Sequence, residues 1–311
     1  MRTHWLDWEA AWEQALYGAD GFVHAGGAPA QHFRTSVHVG TVLAEALLEL
    51  LDRIDHALSR PSALNLVDLG AGAGELLATM VELAPTPMRG RLHPLAVDVR
   101  AAPAGWTLPW AAQVPRAVTG LIVAHEWLDA LPCPVVQHDG QRLRRVQVAP
   151  DGSERLGPSV ADTDAEWLRR WWPLAPGDRA EVGLGREHAW RSVLARLTAG
   201  VALAVDYGHV AGERPSAGTL SGYRDGRQVR PIPDGRCDLT AHVALDALAA
   251  VAPGRRPNQA EALRALGVAS PWTGFWLERA VRAGQVAELT DPNAFGGFGW
   301  VLHPAQLTHP F

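Results

Sequence analysis

Lysine is absent from this chain. All 28 basic residues in its 311 positions are arginine. That excludes chemistry needing a primary ammonium: Schiff-base enzymes, pyridoxal phosphate enzymes and the lysine-bearing phosphate loop. Cysteine is nearly absent too. Cys133 and Cys237 have no metal-ligand spacing and are too few for a disulfide framework, so no metal is expected, and a reducing, cytoplasmic location is. No apolar run reaches the roughly 20 residues that span a bilayer, so no membrane insertion is expected. Residues 1–10 are acidic and Trp-rich, without the basic stretch and apolar run of a signal peptide, so no cleaved leader is expected. An excess of one charge is also missing. The net charge is −5 with both signs interspersed, which gives no footprint for nucleic acid.

What is present is the composition of a globular protein, 47% apolar and 20% charged. The spacing predicts helices over Trp8 to Tyr17, stopped by Gly18, and over Thr41 to Leu58, where Val42, Leu43, Ala46, Leu47, Leu50, Leu51 and Ile54 recur at three and four. A Gly/Ala/Pro-rich loop separates them at Gly21 to Ala30. Strands and helices then alternate: a buried strand at Ala63 to Leu69, a helix at Glu75 to Leu83, and a second strand at Leu92 to Val99. A third strand falls within Thr107 to Val114 and a fourth at Ala117 to Ala124. This order predicts an α/β fold with a parallel sheet covered on both faces.

Beyond Pro132 the alternation breaks. Val135 to Gln137 and Leu143 to Val148 read as a hairpin around Asp139-Gly140. Helices are expected at Asp162 to Trp172 and Glu187 to Leu197, and a strand at Val201 to Val205. Ala211 to Asp238 reads as loop, helices follow at 244–251, 259–266 and 275–283, and a last strand at Gly299 to Leu302. The expected organisation is one domain over 1–311. Within it lie a helical cover (1–60), a cofactor-binding half (61–132), a hairpin and helical embellishment (133–200) and a completing segment (201–311).

The first strand runs into Leu66-Val67-Asp68-Leu69-Gly70-Ala71-Gly72-Ala73-Gly74-Glu75. A strand ending in G-x-G-x-G lets backbone N–H groups at the next helix start approach a ligand closely. A dinucleotide site needs G-x-G-x-x-G for its pyrophosphate. Here the sixth position is Glu75, and a carboxylate at the positive end of a helix opposes a diphosphate. The shorter spacing and the acidic flanks Asp68 and Glu75 favour S-adenosylmethionine, whose sulfonium is a cation and which carries no phosphate. Asp98, at the end of the second strand, is placed to accept hydrogen bonds from both ribose hydroxyls.

The fourth strand runs into His125-Glu126-Trp127-Leu128-Asp129. Methyl transfer needs a nucleophile held in line and an outlet for its proton. If that nucleophile is a guanidinium nitrogen, carboxylates must grip it. Glu126 and Asp129 are three apart, on one face of any helix formed there; otherwise Asp129 caps a helix. His125 reads equally as a base or as a polar strand end. The tryptophans Trp167, Trp171 and Trp172 read as core anchors or as a docking face.

Several further segments occur in order: Ala15-Leu16-Tyr17, Phe33-Arg34-Thr35-Ser36, His125 to Pro132, Val205 to Gly208, Gly218-Thr219-Leu220, Asp238-Leu239-Thr240-Ala241-His242-Val243 and Asn258-Gln259. Together with the glycine loop they resemble the MidA-like methyltransferases, whose mitochondrial members assist assembly of respiratory complex I. The resemblance implies a class I (Rossmann-like) methyltransferase fold, S-adenosylmethionine as cofactor and a protein arginine as acceptor. It implies that Gly70, Gly72 and Gly74 contact the cofactor, Asp98 its ribose, and Glu126 and Asp129 the acceptor. Thr35, Ser36, Asp206, Tyr207, Thr240 and His242 would line the cleft. Departures fall on the acceptor side. The family writes Asn at His125, Pro at Val37, Arg at Ser221, and Asp-Phe at Ala244-Leu245. Two alternatives follow: a small-molecule methyltransferase, or a non-catalytic assembly factor that keeps the cofactor site. Thr240 also reads as a helix cap, and His242 as a buried core histidine.

Overall fold

The computed structural model describes residues 4–25, 35–268 and 276–307. The later part of the expected loop at 21–30, Phe33-Arg34 and the first residue of the expected helix at 275–283 lie outside the described residues. The chain forms two compact units, each assembled from separated stretches: 1–34, 128–190 and 208–251 in one, and 35–127, 191–207 and 252–311 in the other. These boundaries cut across the segments 61–132, 133–200 and 201–311 expected from sequence.

The second unit holds a six-stranded sheet. Its strands are β1 (Leu64–Leu69), β2 (Leu92–Val97), β3 (Trp110–Ala111), β4 (Val118–His125), β5 (Leu197–Asp206) and β6 (Gly299–Ala305), in spatial order β3-β2-β1-β4-β5-β6. All pairings are parallel except β5 with β6. This is a doubly wound α/β sheet flanked by helices, the fold class expected from sequence. Helix α1 (Val42–Ala57) buries the whole predicted apolar stripe, and α2 (Glu75–Leu83) buries Leu76, Leu77 and Met80. Both join one core with Leu66 of β1, Leu121 and Val123 of β4, and Val201, Leu203 and Val205 of β5. A bidentate ion pair, Arg91 to Asp55 at 2.7 Å, ties the end of α1 to the start of β2.

The first unit is built on a five-stranded sheet. Val135–His138 and Leu143–Val148 form the predicted hairpin, and Leu6–Asp7, Glu154–Ser159 and Arg179–Glu181 add to it. Trp8, Trp12 and Leu16 of the first helix pack on Cys133, Val146 and Leu239. Trp167 and Trp172 are buried against Val136, Ala180 and Val182, with Trp171 packed at the margin. Those tryptophans are core anchors, which removes the docking-face reading.

Two expectations need correction. The stretch 211–238 is not all loop: Ser221–Arg224, Arg227–Val229 and Asp238–Thr240 form a three-stranded antiparallel sheet. Its turn is Asp225-Gly226, with φ of 51° and 74°, the left-handed pair that a two-residue Asp-Gly hairpin adopts. The helix expected at 187–197 is Leu184–Leu194, because residues 195–196 turn and Leu197 opens the ten-residue strand β5.

Candidate active site

In the order β3-β2-β1-β4-β5-β6 the winding reverses between β1 and β4, and ligands bind outside the carboxyl ends of the strands at such a point. The glycine loop lies there. Gly70 and Ala71 donate to the carbonyl of Val97 at 2.8 and 3.2 Å, pinning the loop to the end of β2. Gly70, Gly72 and Gly74 all have left-handed φ, 76°, 65° and 88°. Their surroundings differ. A Cβ on Gly70 would meet Trp127 at 2.7 Å, and one on Gly74 would meet the Trp106 ring at 2.3 Å. At Gly72 only Arg100 Nη2 stands within 4 Å, at 3.6 Å. Two of the glycines therefore make room for the protein's own indoles, and only Gly72 leaves its space open.

Asp98 Oδ2 accepts from the Gly72 amide at 2.9 Å. Oδ1 accepts from the Arg100 amide and Nε at 2.9 and 3.1 Å, and Oδ2 also from Arg100 Nη2 at 3.2 Å. The expected ribose acid thus fixes the loop, with Arg100 across it. Asp68 is buried at the end of β1, facing the first turn of α2, and its Oδ2 has no partner. Burial pushes the Asp68 carboxyl up to about 7, reinforced by the charges of Asp98 and Glu75. An acid held above its unfolded value of 3.8 costs stability as pH rises, with the full penalty present above about 7. Asp68→Asn is therefore expected to gain stability over the parent, by a few kcal/mol, between pH 4 and 7. Thermal midpoints of the two proteins that keep a constant separation across that range would refute this.

The end of β4 carries the acceptor-side candidates of this unit. Glu126 has φ of 49°, a left-handed conformation that is uncommon for a non-glycine residue and clusters at functional sites. Its amide donates to the Val205 carbonyl at 2.8 Å. The His125 ring is buried, with Nε2 2.6 Å from Ser36 Oγ and 3.6 Å from Glu126 Oε1. Burial pushes the His125 imidazole down to about 4, so it is neutral at pH 7. Ser36 opens a short turn, Ser36–His38. Thr35 precedes it, with Oγ1 2.8 Å from His38 Nδ1, and His38 Nε2 lies 3.8 Å from Glu75 of α2. Asp206 is buried at the end of β5, and the Tyr207 ring packs on Phe298.

No helix forms at 126–129; the chain bends and turns. Glu126 and Asp129 therefore share no helix face, and they belong to different units. Nor does Asp129 cap a helix. Its Oδ2 accepts from Thr240 Oγ1 at 2.6 Å, which makes Thr240 a strand residue gripping Asp129 and not a helix cap. His242 is exposed, contrary to the core-histidine reading.

Two buried residues that sequence reading missed hold this unit's motifs together. Arg186 makes five hydrogen bonds, all to carbonyls: Asp129, Leu131 (twice), Ala241 and His242, at 2.7–3.2 Å. The Glu181 carboxylate accepts from the Thr219 amide and hydroxyl and the Leu220 amide, and Thr219 Oγ1 in turn accepts from the His242 amide at 3.0 Å. One arginine and one glutamate thus lock the LDALP, GTL and TAHV segments. A lone charged residue on a helix or strand gives no signal that it is buried.

The glycine-loop region suits a ligand with a cation for Asp68 Oδ2, acceptor atoms for the buried Trp106 N–H, and a thin approach over Gly72. S-adenosylmethionine has all three. A family model described as "Putative S-adenosyl-L-methionine-dependent methyltransferase" matches residues 80–260. No curated protein matches. Among solved structures, the chain is similar to a Burkholderia thailandensis protein crystallised bound to S-adenosyl-homocysteine. The TM-score is 0.85 at 21% identity, over 98% of this chain and 89% of that one. An uncharacterized protein of the same organism aligns with TM-score 0.82 at 20% identity, over 98% and 88%. At these identities the likeness speaks to the fold, while the family model spans more than half the chain. The chain belongs to this family of S-adenosyl-L-methionine-dependent methyltransferases, and S-adenosylmethionine is its cofactor.

Proposed function

We propose that the methyl group goes to a nitrogen of a partner protein, with arginine as the residue class that the MidA-like resemblance implies. The observation that carries this reading is Glu126: a carboxylate placed directly after β4, at the reversal point of the sheet, on a strained backbone. Such strain persists only where the surrounding structure imposes it, and it suggests a group that must be aimed. A carboxylate there grips a guanidinium or ammonium by charge-assisted hydrogen bonds. As the N–C bond forms and the S–C bond breaks, the nitrogen sheds one proton. Glu126 lies where it can take that proton, and the neutral His125, anchored on Ser36, stands behind it. Within the unit that holds Glu126, Thr35, Ser36, Asp206 and Tyr207 are the lining groups; in the other unit Asp129, held by Thr240, and the exposed His242 are acceptor-side groups by the resemblance alone. Asp98 takes the ribose once Arg100 releases it.

The test is transfer of radiolabelled methyl from S-adenosylmethionine into a lysate of the source organism, with mass spectrometry of the labelled fraction. The expected product is a methylated nitrogen, in arginine, on one partner polypeptide. Label confined to low-mass compounds would overturn the reading in favour of a small acceptor. Glu126→Gln keeps the shape and removes the charge. It is expected to lower transfer at least ~100-fold with S-adenosylhomocysteine affinity unchanged. Undiminished transfer would remove Glu126 from the reaction and point to a non-catalytic role for the carboxylate.

A further inference from the structure

Trp106, in the connection from β2 to β3, and Trp110, the first residue of β3, have indole N–H groups that meet different fates. Trp106 and Trp110 pack edge to face, with centroids 5.5 Å apart and planes at 82°. Trp110 Nε1 donates to the Arg100 carbonyl at 2.9 Å. Trp8, Trp12, Trp167 and Trp300 likewise donate, to Glu154, the Leu239 carbonyl, Glu187 and Gln259. Trp106 Nε1 is buried and has no partner. A buried unmatched donor carries a desolvation penalty of about 1–3 kcal/mol, so its retention calls for an explanation. The Trp106 ring is also seated on the cofactor loop, occupying the place where a Gly74 Cβ would stand.

We infer that Trp106 is a cofactor-specificity residue whose indole N–H donates to a ring nitrogen of the cofactor's purine. An indole N–H only donates and does not titrate, so its partner must be an acceptor atom. S-adenosylmethionine offers few of these. Its carboxylate suits the backbone amides at the start of α2, its ribose hydroxyls suit Asp98, and its ammonium is a donor that suits Asp68. The purine nitrogens are the strongest acceptors left over, ahead of the ether oxygen of the ribose ring. The same assignment explains why Trp110 is satisfied internally: it braces the connection, while Trp106 faces the ligand.

The test uses Trp106→Phe, which keeps a ring on Gly74 and deletes the N–H. The probes are S-adenosylhomocysteine and its three analogues in which N1, N3 or N7 of the purine is replaced by C–H, each titrated by calorimetry. Trp106→Phe is expected to bind S-adenosylhomocysteine ~5- to 30-fold more weakly, the value of one buried hydrogen bond. In the parent protein one of the three analogues should lose a similar factor, and in Trp106→Phe that analogue should lose nothing further. The ligand-free variant should melt at or above the parent's midpoint, because an orphaned donor has been removed, whereas a merely structural tryptophan would lower it. The inference is overturned if Trp106→Phe binds S-adenosylhomocysteine as the parent does. It is equally overturned if the variant's losses add independently to those of every analogue. A parent protein that gives no heat with S-adenosylhomocysteine would fail the cofactor assignment itself, a result distinct from either.

Discussion

Gly72→Asp is expected to abolish S-adenosylhomocysteine binding while leaving the fold nearly intact. The backbone at Gly72 is left-handed at φ 65°, a region that Asp tolerates better than most residues, so the conformational cost is about 1–2 kcal/mol. A Cβ there meets only Arg100 within 4 Å, its Nη2 lying at 3.6 Å. Its carboxylate then enters the space beside the loop that is open at Gly72 and filled by indoles at Gly70 and Gly74. The comparison that sharpens the result is Gly74→Ala. There the added methyl would collide with the Trp106 ring, so binding and thermal midpoint should fall together. Calorimetry with S-adenosylhomocysteine and a melting curve on both variants separate the two. Full-strength binding by Gly72→Asp would mean that the cofactor does not approach the loop at this glycine.

Arg186→Met should be the most destabilising single change in the other unit. Methionine can fill much of the volume, but it cannot donate. The carbonyls of Asp129, Leu131, Ala241 and His242 would lose their guanidinium partner, with Asp129 O keeping a bond from the Ala241 amide at 3.1 Å and Leu131 O only the weak one from Cys133 Sγ at 3.6 Å. At about 1 kcal/mol or more for each buried carbonyl left bare, the loss comes to roughly 3–5 kcal/mol. Arg186→Lys should recover part of it, since an ammonium can reach some of the four carbonyls without the planar fork. Urea unfolding of the three proteins measures this. A loss below about 1 kcal/mol for Arg186→Met would show that water reaches those carbonyls.

The parts of the fold legible in sequence are those set by local periodicity. The stripe from Val42 to Ile54 predicted the buried face of α1, and apolar runs predicted β1, which is closed by glycines, β2 and β4. The glycine spacing identified the cofactor, because helix-start electrostatics depends on neighbouring residues alone. Illegible were the parts set by distant partners. Thr240 carries the local chemistry of a helix cap, yet its hydroxyl is given to Asp129, 111 residues away. The strand Ser221–Arg224 is short and Gly-containing, so it hid among Gly and Pro residues, although Asp225-Gly226 is the same turn signal that was read correctly at Asp139-Gly140. Trp106 lies just before the stretch Thr107 to Val114 in which the third strand falls, and only its bare N–H marks it. Ser36 and His125 lie 89 residues apart, and neither residue alone announces the pair.

The alternation of the chain between its two units, with breaks at 34/35, 127/128, 190/191, 207/208 and 251/252, bears on how a gene for this protein can be cut. No single interruption separates one unit from the other, so neither can be expressed as a contiguous fragment. A clone bounded at the family-matched residues 80–260 would drop β1, the glycine loop and β6, leaving β4 and β5 without either flanking strand. Split-protein reporters, tag insertions and truncation libraries built on this scaffold should instead target exposed turns such as Asp139-Gly140 or Asp225-Gly226. There the reading frame can be opened without parting strands that the sheet needs as neighbours.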